Sequence, residues 1–573
     1  MLINTNEIAS GSVIDTDICI IGGGAAGITM GLAFEKAGVD CVILESGGFS
    51  RDEATADLYR GSSVGIPYDF ADGTRSRFLG GSSNCWGGFC RPWDQSAFDH
   101  RSWVNASGWP IGREELEPFY MRSHEILNVS AQEYRAEQWV GMGDEPAEGV
   151  GKDYPVKATR FPVDHEKVEE IISQFSPPLK LGEAYRQDLK DARHVSVYLK
   201  ANVVDIQCNP WGGAVESVRV RTLKGVSATV RARTFILAAG GIENARLLLA
   251  SNRQHSGGLG NRYDLVGRYF QDHPRFLNGE VEFTEPYQNN PLFDIKFHCI
   301  VDDLIIGDTK ISGQLRLPYA VQKQHGLLDA QVWFRSLYAG EGTDVVRALY
   351  RMRQRVRGKW SPRIGLGSDL GIILSHPLDS ASYVVAHSTS SRRMVRSVTM
   401  EMIAEPEPDY NSRVMLGDDI DALGMRRAKI DWRLTQRVRD TVDTTFELIA
   451  RELEDKNIAR VKLGSRVNDT GWPSDLEGTY HHMGTTRMHD SPRHGVVDRN
   501  CQVHGIANLY IAGSSVFPTS SSNHPTMTLV ALALRLSDRL VAERHKVSSH
   551  VESLSDSSRL HEPVSEVSTA EAA

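Results

Sequence analysis

The chain has 573 residues, of which 40% are hydrophobic and 24% charged, an ordinary globular composition long enough for several domains. A formal charge of −9 argues against a nucleic-acid binder, which carries a basic excess. The absence of any eighteen-residue apolar run argues against a spanning helix. The first fifteen residues hold no export signal, so a cytoplasmic protein is expected, with export beside a partner subunit left open. Seven widely spaced cysteines make no disulfide framework.

In chain order, residues 17–21 read as a short apolar strand and 22–27 as a glycine turn. A helix then runs to about Ala37, and a second strand over 40–44 ends in Glu45, completing a βαβ unit. Residues 55–110, rich in Gly, Ser, Trp and Pro, predict an extended covering loop, with a helix after it over 114–127. Residues 195–220 alternate like paired strands about Gly212-Gly213. Residues 233–241 form a buried-strand run ending in glycines, before a helix over 243–250. Alternation over 275–340 and 365–435 predicts an antiparallel sheet, with a basic helix over 344–359 between the two stretches. That helix reads as a solvated arm or subunit contact, or else as a docking surface for an acidic partner or a membrane. A helix over 438–453, a strand over 509–511 and an amphipathic helix over 526–540 follow. Residues 546–573, rich in Ser, Glu and Ala, predict a disordered tail.

Gly22-x-Gly24-x-x-Gly27 lies between a strand and a helix, with an acidic residue, Glu45, 18 positions after Gly27. The first glycine permits the tight turn, the second lets backbone approach a pyrophosphate, and the third lets helix and strand pack. The helix N-terminus offers N–H groups to phosphate, and Glu45 can accept from ribose hydroxyls while repelling a 2′-phosphate. The segment therefore points to a dinucleotide other than NADP.

Two further signatures follow. Arg77-Phe-Leu-Gly-Gly-Ser-Ser-Asn-Cys-Trp-Gly-Gly88 has small residues suited to close approach of backbone to a flat ring or a phosphate. Tyr480-His-His-Met-Gly-Thr-Thr-Arg-Met488 and Ser522-Asn-His-Pro-Thr-Met-Thr528 belong to a stretch that holds six of the 19 histidines. His524 stands before Pro525 at a helix start, where N–H groups and the positive dipole end face a ligand. No spacing fits a zinc pattern, so no metal is expected. His482, His489, His494 and His504 read as structural. Gly61-Ser-Ser-Val-Gly65 matches a hydrolase elbow in letters, but no apolar strand precedes it and no helix follows.

With these three segments together, the chain resembles the glucose–methanol–choline (GMC) oxidoreductases, FAD-dependent alcohol oxidases and dehydrogenases, and within them bacterial sugar and polyol dehydrogenases and pyranose oxidases. The resemblance covers residues 15–120, 195–275 and 475–542. It implies an α/β protein: a Rossmann-like FAD-binding domain over 15–120, 195–275 and 475–545, and an antiparallel-sheet α+β substrate domain over 121–194 and 276–474. It implies that Gly22, Gly24, Ala26, Gly27 and Glu45 hold the ADP half of FAD, that Val203 meets adenine, and that Ala239 and Gly240 lie near the pyrophosphate. Gly81, Ser82, Asn84, Cys85 and Trp86 would lie along the flavin, and Gly513, Ser514, Pro525 and Thr526 would border its pyrimidine side. His481 takes the place of the catalytic base and His524 that of its partner.

Two positions depart from the pattern. Cys85 stands where pyranose oxidases carry a histidine bonded to flavin; an ordinary buried thiol and noncovalent FAD are expected here. His524 stands where the nearest relatives have Asn, and Asn523 comes one residue early. The expected reaction is oxidation of a secondary alcohol of a sugar or glycoside to a ketosugar. His481 takes the proton and flavin the hydride. Oxygen, a quinone or a carrier protein reoxidises the cofactor. The alternatives are a nonsugar alcohol (sterol, aliphatic alcohol or cyclitol), a non-redox flavin lyase, or an escort that keeps FAD for structure. A homo-oligomer or a small escort subunit is a possible partner arrangement.

Overall fold

The computed structural model describes residues 1–559 except 71–73, 130–132, 141–159, 178, 286–290, 297–304, 307–308, 339–340, 342, 357–364, 390–393, 465–470 and 474. The fingerprint strand is Ser12–Ile21, longer than its apolar stretch because Ser12 to Ile21 pair in parallel with Ala228 to Leu237. Around it a sheet forms in the order Leu2–Asn4, Val195–Leu199, Cys41–Glu45, Ser12–Ile21, Ser227–Leu237, all parallel, then Val215–Arg221 and Asn202–Cys208, antiparallel. Cys19, Ile20, Ile43, Phe235 and Ile236 are fully buried, as expected for a parallel sheet covered on both faces. Along Ser227–Leu237, Val215–Arg221 pairs only with the first four residues, Ser227 to Val230. The remaining edge, Phe235 to Leu237, is taken by the late strand Leu509–Ile511. The helix Ala25–Ala37 packs on this sheet, and the C-terminal helix packs against Ala25–Ala37 and the helix Arg113–Leu127.

A nine-stranded antiparallel sheet forms the second layer system. Its main order is Ala459–Lys462, Pro274–Phe283, Val395–Ala404, Ala330–Tyr338, Thr309–Arg316, Glu169–Phe175 and Phe89–Cys90. Helix Gln436–Asp455 presents Val438, Val442, Phe446, Ile449 and Leu453 at helical spacing to a core containing Phe334, Met400 and Met402. The protein is thus an α/β molecule with a Rossmann-like sheet and a separate antiparallel sheet.

Several expectations need correction. The stretch 365–435 is not continuous sheet: helices Leu366–Ser375 and Pro377–Thr389 occupy its first part. Neighbouring pairs such as Ile372-Ile373 and Val384-Val385 resemble strand sequence, but Leu366, Leu370 and Leu374 fall at helical spacing and Pro377 takes the first position of its helix. Leu374 and Leu378 are 76% and 83% exposed. Residues 413–432 form, with Ser62–Gly65, a three-stranded sheet packed against the first core through Val414, Ile430 and Trp432. Gly61 to Gly65 is therefore the edge of a small sheet and no elbow. The basic helix is Asp344–Val356; Arg351 and Arg355 both pair with Asp369 of the next helix, so its charge is partly neutralised within the arm. Its expected end, 357–359, lies outside the described residues. The last helix is Thr526–Arg559, so 546–559 continue a helix where a disordered tail was expected, since Ser, Glu and Leu there carry no breaker. Residues 560–573 lie outside the described residues.

Candidate active site

Four parallel strands end on one cavity of about 520 Å³. Gly22 follows the first, Glu45 ends the second, Ala239 and Gly240 follow the third, and Gly513 follows Leu509–Ile511. The carboxyl edge of a parallel sheet is where such folds bind dinucleotides.

The fingerprint turn is fixed by steric limits. A Cβ on Gly27 would stand 2.0 Å from the Gly22 carbonyl oxygen, so helix and turn touch backbone to backbone. Glu45 Oε2 accepts from Gly23 N at 2.9 Å and Oε1 from Gly47 N at 2.7 Å, tying the turn to the second strand. Burial pushes this carboxyl upward. The covering loop closes from the other side: Gly80 N donates to Gly23 O at 2.8 Å, and a Cβ on Gly81 would lie 2.9 Å from Gly24 Cα.

Gly22, Gly24, Ala26, Glu45, Gly81, Ser82, Cys85, Trp86, Val203, Ala239, Gly240, Gly513, Ser514, Pro525, Thr526, His481 and His524 all line the cavity. Gly27 and Asn84 are not among its lining residues. Gly27 sits under the turn, and Asn84 holds the covering loop, donating through Nδ2 to Leu79 O at 3.1 Å and Gly81 O at 2.9 Å. Cys85 is exposed on the wall, and Trp86 donates Nε1–H to Leu179 O at 2.9 Å. At Gly240 and Gly513 a Cβ would meet no atom within 4 Å, so the cavity comes up to bare backbone at two strand ends. That cradle, with a carboxylate at the end of the second strand and a helix N-terminus beneath, fits an adenine dinucleotide.

At the far end of the cavity, the rings of His481 and His524 lie 5.0 Å apart at 75°. His524 stacks on Phe89 at 4.5 Å, and its carbonyl accepts from Trp93 Nε1 at 3.3 Å. Burial, with repulsion from His273, pushes His524 to about 3. Burial, then His524, His273 and His482, hold His481 well below the usual range. Both rings are neutral at pH 7. A neutral imidazole can take a hydroxyl proton, and its neighbour can hydrogen-bond the oxygen left behind.

Sequence reasoning missed what holds His481. Asp272 is completely buried, and its two oxygens take four donors. Oδ1 accepts from His481 N at 2.7 Å and Thr479 Oγ1 at 3.3 Å; Oδ2 accepts from Tyr480 N at 3.0 Å and Tyr68 Oη at 2.6 Å. Burial pushes this carboxyl up to about 6. Tyr480 has φ +63°, a left-handed backbone that bulky residues avoid, and these bonds hold it there. His273 contacts His481 directly, with Nδ1 2.8 Å from Nδ1. The available signal was the run Gln271-Asp272-His273, three polar residues before a strand, all fully buried.

His482 also lines the cavity, its ring 6.1 Å from Phe270 and 6.0 Å from Tyr68. His489, His494 and His504 cluster away from it: two rings lie 5.2 Å apart and His504 Nε2 is 2.8 Å from His489 O. Arg77 and Arg246, also missed, line the wall and share Glu243 at 3.2 and 3.1 Å. Among the described residues no group of three or more His, Cys, Asp or Glu could hold a metal ion, and no helix is long and apolar enough to cross a membrane.

Residues 408–533 match a family model described as GMC oxidoreductase. The chain is 25% identical over 55% of its length to the fructose dehydrogenase large subunit of Gluconobacter japonicus, a match spanning about half (48%) of that relative. It is 23% identical to the 2-methyl-1,2-propanediol dehydrogenase of Mycolicibacterium austroafricanum, covering 92% of this chain and 95% of the other. Among solved structures it superposes on a fungal aryl-alcohol oxidase with a TM-score of 0.53 at 17% identity, covering 93% of this chain and 99% of that one. The match over residues 408–533, the relatives and the dinucleotide cradle agree in kind: the chain is similar to the GMC oxidoreductases, and its cradle fits FAD.

Proposed function

We propose that the protein oxidises a secondary hydroxyl of a sugar or glycoside to a ketosugar, with His481 as base and His524 as partner of the developing alkoxide. The observation that carries this reading is the pair of neutral, half-buried histidines 5.0 Å apart on the wall of the cavity that the fingerprint glycines also line. The sugar assignment draws support from relatives named as fructose dehydrogenase large subunit and C-glycoside 3-oxidase. A nonsugar alcohol is the second reading, favoured by the match along nearly the whole chain to 2-methyl-1,2-propanediol dehydrogenase.

Bound FAD supplies the two-electron acceptor for the hydride. Gly22, Gly24, Ala26, Gly27, Glu45, Val203, Ala239 and Gly240 would hold its ADP half. Gly81, Ser82, Asn84, Cys85 and Trp86 would lie along the flavin, with Gly513, Ser514, Pro525 and Thr526 at its pyrimidine side. Segments 15–120, 195–275 and 475–545 would form the FAD domain, and 121–194 with 276–474 the substrate domain. His481 removes the hydroxyl proton while His524 hydrogen-bonds the same oxygen. The alcohol carbon must be held about 3–3.5 Å from the accepting atom, a task for the residues around the two rings. FAD is held without a covalent bond. Oxygen, a quinone or a carrier protein takes the electrons afterwards. A reducing compartment is consistent with the buried cysteines Cys19, Cys41, Cys90, Cys208 and Cys501.

The test is anaerobic mixing of the yellow enzyme with sugars, glycosides and simple alcohols, followed by product analysis. A sugar should bleach the flavin and leave a ketosugar. Bleaching by simple alcohols alone would select the second reading, and a flavin that stays yellow with all of them would remove both. Acid precipitation should release the flavin; flavin left on the denatured chain and lost in Cys85→Ser would overturn noncovalent binding.

A further inference from the structure

We propose that His273 fixes the tautomer of His481 and so makes Nε2 the nitrogen that receives the substrate proton. This rests on His481 being the base. His273 is completely buried just before strand Pro274–Phe283. Its Nε2 lies 2.7 Å from the Ser521 carbonyl oxygen. A carbonyl only accepts, so His273 Nε2 carries the hydrogen. Burial pushes the ring to about 4, so it is neutral at pH 7 and its Nδ1 is a lone pair. That lone pair faces His481 Nδ1 at 2.8 Å. Two ring nitrogens at this distance share one hydrogen, and only His481 can supply it.

Thr479 leads to the same assignment. Its hydroxyl hydrogen has acceptors in His273 O at 3.1 Å and Asp272 Oδ1 at 3.3 Å. Its oxygen is then the acceptor toward His481 Nδ1 at 3.0 Å. Two neighbours from different parts of the chain therefore ask for the same Nδ1–H. A neutral imidazole protonated at Nδ1 has its one remaining lone pair at Nε2. When the substrate O–H bond breaks and Nε2–H forms, His481 becomes positive and its Nδ1–H bond to His273 becomes charge-assisted. The hydride leaves the carbon for FAD, which balances the two electrons. Behind Ser521 lies Asp329, which accepts from the Ser521 and Ser522 hydroxyls at 2.8 and 2.7 Å and places negative charge on that side of His273. His273 is thus a positioning residue that acts through His481.

The test uses the FAD-loaded enzyme labelled with ¹⁵N-histidine, assigned with His481→Ala. In the parent enzyme the His481 signal should report the Nδ1–H form; an Nε2–H form would overturn the proposal without any variant. His273→Leu should mix the two tautomers and slow anaerobic flavin reduction about 10- to 100-fold, the usual cost of losing the group that orients a working histidine. His273→Asn, whose side-chain oxygen takes the place of Nδ1, should recover most of that loss and restore the Nδ1–H signal. Equal loss in both variants with the His481 tautomer unchanged would reduce His273 to packing and sink the idea. If His273→Leu does not fold, the parent spectrum and His273→Asn decide. If His481→Ala itself reduces flavin at the parent rate, the base assignment fails, whatever His273 does.

Discussion

The two ends of the cavity are built by different physics. At the fingerprint end, position is set by what cannot fit: backbone touches backbone at Gly22 with Gly27 and at Gly24 with Gly81. At the histidine end, position is set by buried polar side chains, Asp272 and His273, each satisfied by partners far away in sequence. The first arrangement rests on close backbone contact and fails by steric overlap. The second depends on protons and fails gradually as they move.

The sharpest test of the steric end is Gly27→Ala. With a Cβ placed 2.0 Å from the Gly22 carbonyl, helix and turn must separate, and no yellow soluble protein is expected. Purification with normal FAD content would mean that the turn is held by something other than close contact.

At the polar end, His481→Ala should slow flavin reduction by about 10²–10⁴-fold while leaving reoxidation nearly unchanged, as for loss of a general base. His482→Ala is the internal control. It shares the cavity wall, yet its ring packs beside Phe270 and Tyr68, so most activity should remain. Rapid mixing under nitrogen separates them. Loss in the His482 variant alone would move the base by one residue.

Glu45→Ala should bring the two ends into contrast. It removes a carboxylate that braces the turn and, in our reading, meets the ribose. A lost charge-assisted bond of about 1.5–3 kcal/mol corresponds to roughly 10- to 100-fold weaker FAD retention. Turnover of the fraction still loaded should hardly change. Unchanged FAD affinity with reduced turnover would place Glu45 elsewhere in the reaction.

The smallest effect is the pH response of Asp272. Its carboxyl titrates at about 6, whereas the neighbouring histidines are held below their usual range. Protonation forces one oxygen to donate where four neighbours already donate to the pair. Flavin reduction should therefore drop about tenfold by pH 5, following a single proton. The folded carboxyl keeps its proton up to about 6 while the unfolded one loses it near 3.9, so this group's own contribution to stability is largest below about 4 and declines as pH rises to about 6. The depressed histidines act with the opposite sign over the same range, so the check is the rate of flavin reduction in Asp272→Asn: its acid limb near pH 6 should vanish, and an unchanged limb would remove Asp272 from it.

The same contrast explains what was legible. Gly22-x-Gly24-x-x-Gly27 and Glu45 are readable because a steric requirement leaves its mark on the residue that meets it, and strands and helices around them follow from local apolar spacing. His481 and His524 were found through a family resemblance, and the structure brings both to one wall. Asp272, His273 and Tyr68 were not found, because a hydrogen-bond partner 208 residues away leaves no local pattern. Helices Leu366–Ser375 and Pro377–Thr389 were misread for a related reason: their exposed leucines and paired β-branched residues look like strand when no burial pattern contradicts them.

The pairing of Leu509–Ile511 with Phe235 to Leu237 also governs how the chain is made. Until that late strand leaves the ribosome, the central strand carries an open edge of three apolar, otherwise buried residues. At roughly 5–20 residues per second, the interval between the two segments lasts on the order of 15–50 s. His481 is made only near the end of that interval, and Gly513 and His524 follow it. The FAD cradle therefore closes only after residue 513 has emerged, so cofactor loading follows that strand, and the nascent chain needs its sticky edge shielded until then.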